Sequence, residues 1–255
     1  MTTGEFGFFG KLPAHGDFID RGLPRTFIGP WDHWLQGVIG NSRELLGTAW
    51  REHFLVAPIW RFVLTPGICG PLGWQGLMMP SVDRVNRYFP LTIAKPHDPG
   101  APTLAHLTRG ADWFSRCEEV ALSALSTLVD ADALLARLRG IGSPDGAVGA
   151  PPPGSVQGAG GALAWQFALP GAPDGEGLAL CVAESLLRQG GTPYSLWWSE
   201  GSASVEKSLL IHQGLPSRHD FTAMLDGQWQ RWGWGVCRVP EPPGAGREAS
   251  GGVAT

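Results

Sequence analysis

The chain has 255 residues, 43% of them hydrophobic, enough to bury a core without disulfide or metal staples and to fill one large domain or two modest ones. Lys and Arg number 19 against 23 Asp and Glu, and a net charge of -4 excludes attraction on the scale of a polyphosphate.

The first residues, MTTGEFGFFG, lack a basic stretch ahead of an apolar one, and every apolar run is broken well short of the ~18 residues a span needs. Neither export nor membrane insertion is expected. The run FGFFGKL at 6–12 is short, aromatic and glycine-bounded, which predicts a strand. Between 24 and 56, Phe27, Ile28, Trp31, Trp34, Leu35, Val38 and Ile39 recur every three or four residues, the stripe of an amphipathic helix. Gly40 and Asn41 are expected to stop it, with a second short helix through Leu45, Trp50 and Phe54. IWRFVL, WQGLMMP and YFPLTIA follow between 58 and 95 with short connections, which predicts three antiparallel strands in succession. From 104 to 139, Leu107, Ala111, Phe114, Cys117, Ala121, Leu125 and Leu128 mark another helical face. Asp130 or Asp132 caps a further helix holding Leu134, Leu135 and Leu138.

Glycine (37) and proline (22) are abundant, and they concentrate in two places. Residues 141–161 read as a linker or long loop, and 241–255 as a disordered tail, because neither carries apolar groups to offset the entropy of ordering it. Between them, 162–240 reads as strand ALAWQFAL, helix GLALCVAESLLRQG, strand YSLWWS, strand SVEKSLLIHQ and capped helix SRHDFTAMLDGQW, continuing the domain begun by 1–140. The mixture of helices and strands without strict βαβ alternation predicts an α/β protein of the α+β type.

Candidate chemistry is sparse. GFFGKLP has a Gly-Lys pair after a strand, but Glu5 stands where a phosphate loop needs glycine, and Leu12 where it needs Ser or Thr. His15, Asp17, Ser81 and Asp83 could furnish a small hydrolase, yet Ser81 lies in PSVD and lacks a glycine-flanked elbow. Asp17 beside Gly16 is as readily a turn acceptor. The seven histidines and Cys69, Cys117, Cys181 and Cys237 show neither HExxH nor finger spacing, so the thiols read as reduced and cytosolic, with no metal and no cofactor expected. Adjacent on a strand, Trp197 and Trp198 must face opposite ways, one into the core and the other toward an interface or groove. That leaves a glycan-binding module through exposed Trp as a further alternative. Asp83, Arg84 and Arg87, crowded into PSVDRVNRYFP, read as an ion-paired turn with Arg84 facing outward toward a partner.

GFFGKLPAHGDFIDRGLP, WDHWLQ, APIWRFVLTPGICG, MPSVDRVNRYFPLTIA and SLWWSEGS occur in that order, and together they resemble the TagF family, also called ImpM, of type VI secretion-associated proteins. The resemblance implies a mainly antiparallel sheet flanked by helices. It also implies a cytoplasmic, non-enzymatic accessory protein that restrains assembly or firing of the secretion machine after translation. The implied partner is the forkhead-associated scaffold protein at the machine's base. Some members carry a fused PP2C-type phosphatase, and this sequence shows none. The residues such a role would rest on are Asp17, Asp83, Arg84, Arg87, Trp197, Trp198 and Glu200. Asn86 stands where the family pattern has glycine, and asparagine tolerates the positive φ that a turn there requires.

Overall fold

The computed structural model describes residues 5–97, 102–126, 129–144, 156–157, 163–164, 175–189 and 191–238. The elements in chain order are β1 (Gly7–Gly10), β2 (Ile19–Arg21), α1 (Arg25–Leu46), α2 (Trp50–Val56), β3 (Trp60–Leu64), β4 (Gly73–Met79), β5 (Leu91–His97), α3 (Ala105–Arg109), α4 (Ala111–Ser123), α5 (Ala131–Ile141), β6 (Val156–Gln157), β7 (Leu163–Ala164), α6 (Gly175–Gln189), β8 (Tyr194–Ser199), β9 (Ser208–Gln213) and α7 (Arg218–Asp226). Seven strands form one sheet in the order β2-β1-β5-β4-β3-β8-β9, every neighbouring pair antiparallel, while β6 and β7 pair separately. β8 joins the outer edge of β3, so chain on both sides of 141–161 shares this sheet.

Successive side chains of a strand point to opposite faces, and here both faces are covered. Phe9, Phe62, Leu64, Trp74, Met78, Ala94 and Trp197 pack with α1, α2 and α7 on one side. Phe8, Val63, Leu77, Met79, Ile93 and Leu196 pack with α4, α5 and α6 on the other. The result is an α+β fold, an antiparallel sheet between two helical layers. Burial on both faces is why IWRFVL and WQGLMMP are mostly apolar rather than alternating. Burial also pushes the thiols of Cys69 and Cys117 up to about 12, so they pack as neutral apolar groups.

The sequence expectation fails informatively at α1. Gly40 and Asn41 do not end it; it continues to Leu46, and Gly47 at φ 54° terminates it. Burial overrides propensity here, because Val38, Ile39 and Ser42 lie against the core and the Ser42 hydroxyl accepts from Trp50 Nε1 at 2.9 Å. The stripe drawn from 104 to 139 resolves into α3, α4 and α5. Its Leu125 is exposed beyond the end of α4, while Trp113, Val120 and Ala124 supply buried contacts instead. Asp130 is the α5 cap, accepting from the N–H groups of Asp132 and Ala133. β5 starts at Leu91 rather than Tyr88, because Pro90 has no N–H to give a ladder. β2 was not anticipated; it is only three residues long. Leu128, most of 141–161, ALAWQFAL apart from Leu163 and Ala164, and the 241–255 tail lie outside the described residues.

Candidate partner-binding site

Residues 11–18 connect β1 to β2, and residues 80–90 connect β4 to β5. Because β1 pairs with β5, the two loops leave the sheet side by side. The approach is close enough that Gly10, at φ 140°, admits no side chain: a Cβ there would sit 2.1 Å from the Pro90 carbonyl oxygen.

Asp83 is the centre of this junction, and its side chain is wholly buried. One carboxylate oxygen accepts from Lys11 Nζ at 2.5 Å and from Arg87 Nε at 2.6 Å. The other accepts from the backbone N–H groups of Val85 at 3.0 Å and Arg87 at 2.8 Å. Burial alone would raise the carboxyl's pKa. The donors from Lys11, Arg87 and Val85 outweigh it and hold the group well below the usual carboxylate range. The turn closes on itself through Asp83 N–H to Arg87 O at 3.1 Å and Asn86 N–H to Asp83 O at 3.0 Å, with Asn86 at φ 62°. Asparagine thus adopts the left-handed conformation expected of the family's glycine.

The loops are also stitched together. Arg84 N–H donates to the His15 carbonyl at 2.8 Å, the Arg87 guanidinium donates to the Gly16 carbonyl, and the Ser81 hydroxyl donates to the Lys11 carbonyl at 2.7 Å. Asp17 is exposed and accepts from Phe18 N–H at 2.8 Å, which turns Phe18 onto Phe89, ring centroids 4.7 Å apart. The GDF and PSVDR stretches are therefore two halves of one structure. Arg84 extends outward past Gly16, and no described carboxylate lies within ion-pair distance of it. Arg87 is divided between roles: its guanidinium locks Asp83 while over half its side chain stays exposed.

Lys11 is the residue sequence reasoning missed. A lysine inside an apolar strand run, with no solvated face to occupy, was the available signal, but its neighbouring glycine directed attention to phosphate instead. A second buried carboxylate also escaped notice. Glu184 on α6 accepts from Tyr194 OH at 2.7 Å, Arg188 Nε at 2.9 Å and the Leu104 N–H at 3.1 Å. Burial opposes its charge, and these donors, Tyr194 foremost, nevertheless keep its pKa below the ordinary value. It ties α6 to β8 rather than facing a cleft.

Ser81, His15 and Asp83 do not assemble into a triad. The serine hydroxyl is engaged with Lys11, Asp83 with Lys11 and Arg87, and among the described residues no hydrogen bond joins His15 to either side chain. Ser81→Ala should cost about 1 kcal/mol, one buried hydrogen bond, in a thermal melt. Among the described residues no three His, Cys, Asp or Glu side chains gather as metal ligands.

The SLWWSEGS stretch is β8 plus its turn. Trp197 is fully buried against Trp31, Trp34 and Phe62, while Trp198 is half-buried on the opposite face, edge-on to Phe114 at 4.7 Å. Beyond it Glu200 pairs with Lys207 at 2.6 Å and lies 3.8 Å from Arg61, whose guanidinium forks onto Glu118 at 2.7 and 3.0 Å. In the sheet, β3 lies between β8 and β4, the strand that leads into the Asp83 junction.

No helix among the described residues is long and apolar enough to cross a membrane. A search of curated proteins found no match. Residues 7–141, more than half the chain, match the TagF N-terminal domain model, described as type VI secretion system-associated. The crystal structure of PA0076 from Pseudomonas aeruginosa PAO1 is similar to this one, with 32% sequence identity, a TM-score of 0.75, and coverage of 94% of this chain and 100% of that chain. With the family model spanning both loops of the Asp83 junction, the chain belongs to the TagF family of type VI secretion system-associated proteins.

Proposed function

We propose that this protein is a non-enzymatic, cytoplasmic regulator that restrains assembly or firing of the type VI secretion machine by binding its forkhead-associated scaffold protein. The observation that carries this reading is the Asp83 junction. Its polar groups are used up in holding a loop rigid, and what the loop offers outward is Arg84, half of Arg87, and the exposed Val85 and Phe18. Arginine with exposed apolar and aromatic side chains on a pre-organised loop is the composition of a protein interface. The Ser81 hydroxyl and the Asp83 carboxylate, both engaged in structural bonds, and a His15 side chain that bonds to neither support a binding role over turnover.

The test is capture of the purified scaffold by this protein, together with a secretion assay on overexpression. Capture with reduced secretion is expected. Failure to capture, with secretion unchanged, would remove the proposal.

A further inference from the structure

Four arginines converge on the 83–88 loop from three parts of the chain. Arg43 of α1 donates to the Tyr88 carbonyl at 3.3 Å and stacks on Trp50, its guanidinium carbon 4.2 Å from the ring centroid. Arg51 of α2 lies over the Tyr88 ring at 5.6 Å. Arg84 and Arg87 come from the loop itself. Of the four, only Arg87 takes part in an ion pair among the described residues. The nearest acids do not neutralise the group. Asp83 is already shared by Lys11 and Arg87, and Asp17 is engaged with its own loop. Glu44 and Glu52 follow Arg43 and Arg51 on their helices, and among the described residues neither forms an ion pair with an arginine of the group. On a chain of net charge -4 this is a concentrated cationic surface.

We propose that Arg43 and Arg51, which pack on Tyr88, and Arg84 and Arg87 of the adjoining loop form a cationic collar that docks a carboxylate-rich peptide segment of the partner protein. The proposal rests on the scaffold-binding reading above and adds the chemistry of the partner and two helical residues to the site. Guanidinium forks match carboxylates bidentately, and the aromatic surfaces beneath Arg43 and Arg51 hold them in place before binding. The exposed Val85, next to Arg84 in the loop, and the exposed Phe18, packed on Phe89, supply apolar contact to the same segment. A nucleic acid is disfavoured by the small extent of the collar and by the acidic remainder of the chain.

The experiment titrates the full chain into labelled deca-glutamate, read by fluorescence anisotropy at low and high salt. Arg51 and Arg84 carry the test because neither side chain donates a hydrogen bond among the described residues. The R51E/R84E variant should bind about tenfold more weakly and lose most of the salt dependence, since two exposed charges are reversed at once. Arg116→Glu, on α4 across the sheet, should bind like the parent. Should R51E/R84E fail to fold, Arg84→Gln, which only removes charge, replaces it. No binding by the parent, an equal loss in Arg116→Glu, or tighter binding of duplex DNA than of the peptide would overturn the collar. Scaffold capture separates the two proposals. Equal capture by parent and R51E/R84E removes the collar and leaves the regulator reading standing. Salt-dependent peptide binding at the collar without scaffold capture does the reverse.

Discussion

Asp83→Ala should destabilise the protein by about 3–5 kcal/mol, the loss typical when one partner of a buried ion pair is deleted and the other is stranded. Lys11 would keep its charge under the sheet without a counter-ion, and the N–H groups of Val85 and Arg87 would lose their acceptor. For a chain of this size, that is roughly a 10 °C fall in melting temperature. Combining it with Lys11→Met should recover part of the loss, since the stranded ammonium is then gone. A variant as stable as the parent would show that the junction is not held by its charges.

The same site sets a pH dependence whose sign follows from its depressed pKa. A carboxylate whose native pKa lies below its unfolded value of about 3.9 contributes fully above that value, and the contribution is lost as pH falls toward the native pKa. Asp83→Asn cannot titrate, so the stability gap between parent and variant should be widest near neutrality. It should narrow as the solution is acidified below about pH 4. Denaturant melts across that range measure the gap directly.

Trp197→Ala is the second large effect, expected at about 3–5 kcal/mol. The indole is fully buried, its centroid lies 5.3 to 5.9 Å from the rings of Phe62, Trp34 and Trp31, and its N–H donates to Ser195 Oγ at 2.9 Å. These neighbours come from α1 and β3, so removing the ring opens a void between the sheet and its helical layer. Trp198→Ala, one residue along on the other face, should cost clearly less because its ring is already partly in water. Chemical denaturation of the two variants side by side measures the asymmetry, and equal losses would mean the two faces are packed alike.

Helices and strands were legible here because their apolar stripes are dense, and the sheet class followed from short connections between β3, β4 and β5. What sequence could not supply was pairing at a distance. Lys11 and Asp83 are 72 positions apart, and a Gly-Lys pair after a strand resembles phosphate chemistry until its carboxylate is seen. Nothing in the sequence singles out Arg43 and Arg51; only the return of Tyr88 to α1 and α2 makes them part of a surface. The true end of α1 was hidden because burial of Ser42 and Trp50 depends on tertiary contacts, while Gly40 and Asn41 announce themselves locally. Glu184 is likewise only one polar position on a helix until its donors are seen, from Leu104 just before α3, from α6 itself and from β8.

The place of β3 in the sheet bears on how the protein comes into being on the ribosome. Arg61 and Phe62 find Trp198 and Trp197 across the strand only after all of α3 to α6 has been made. Until then the outer edge of β3 is a row of unpaired amide groups beside a strongly apolar strand, the kind of edge that recruits foreign strands. Non-local pairing of this sort is slow to form. The nascent TagF N-terminal region therefore carries its most adhesive feature until its own C-terminal strands arrive to cover it.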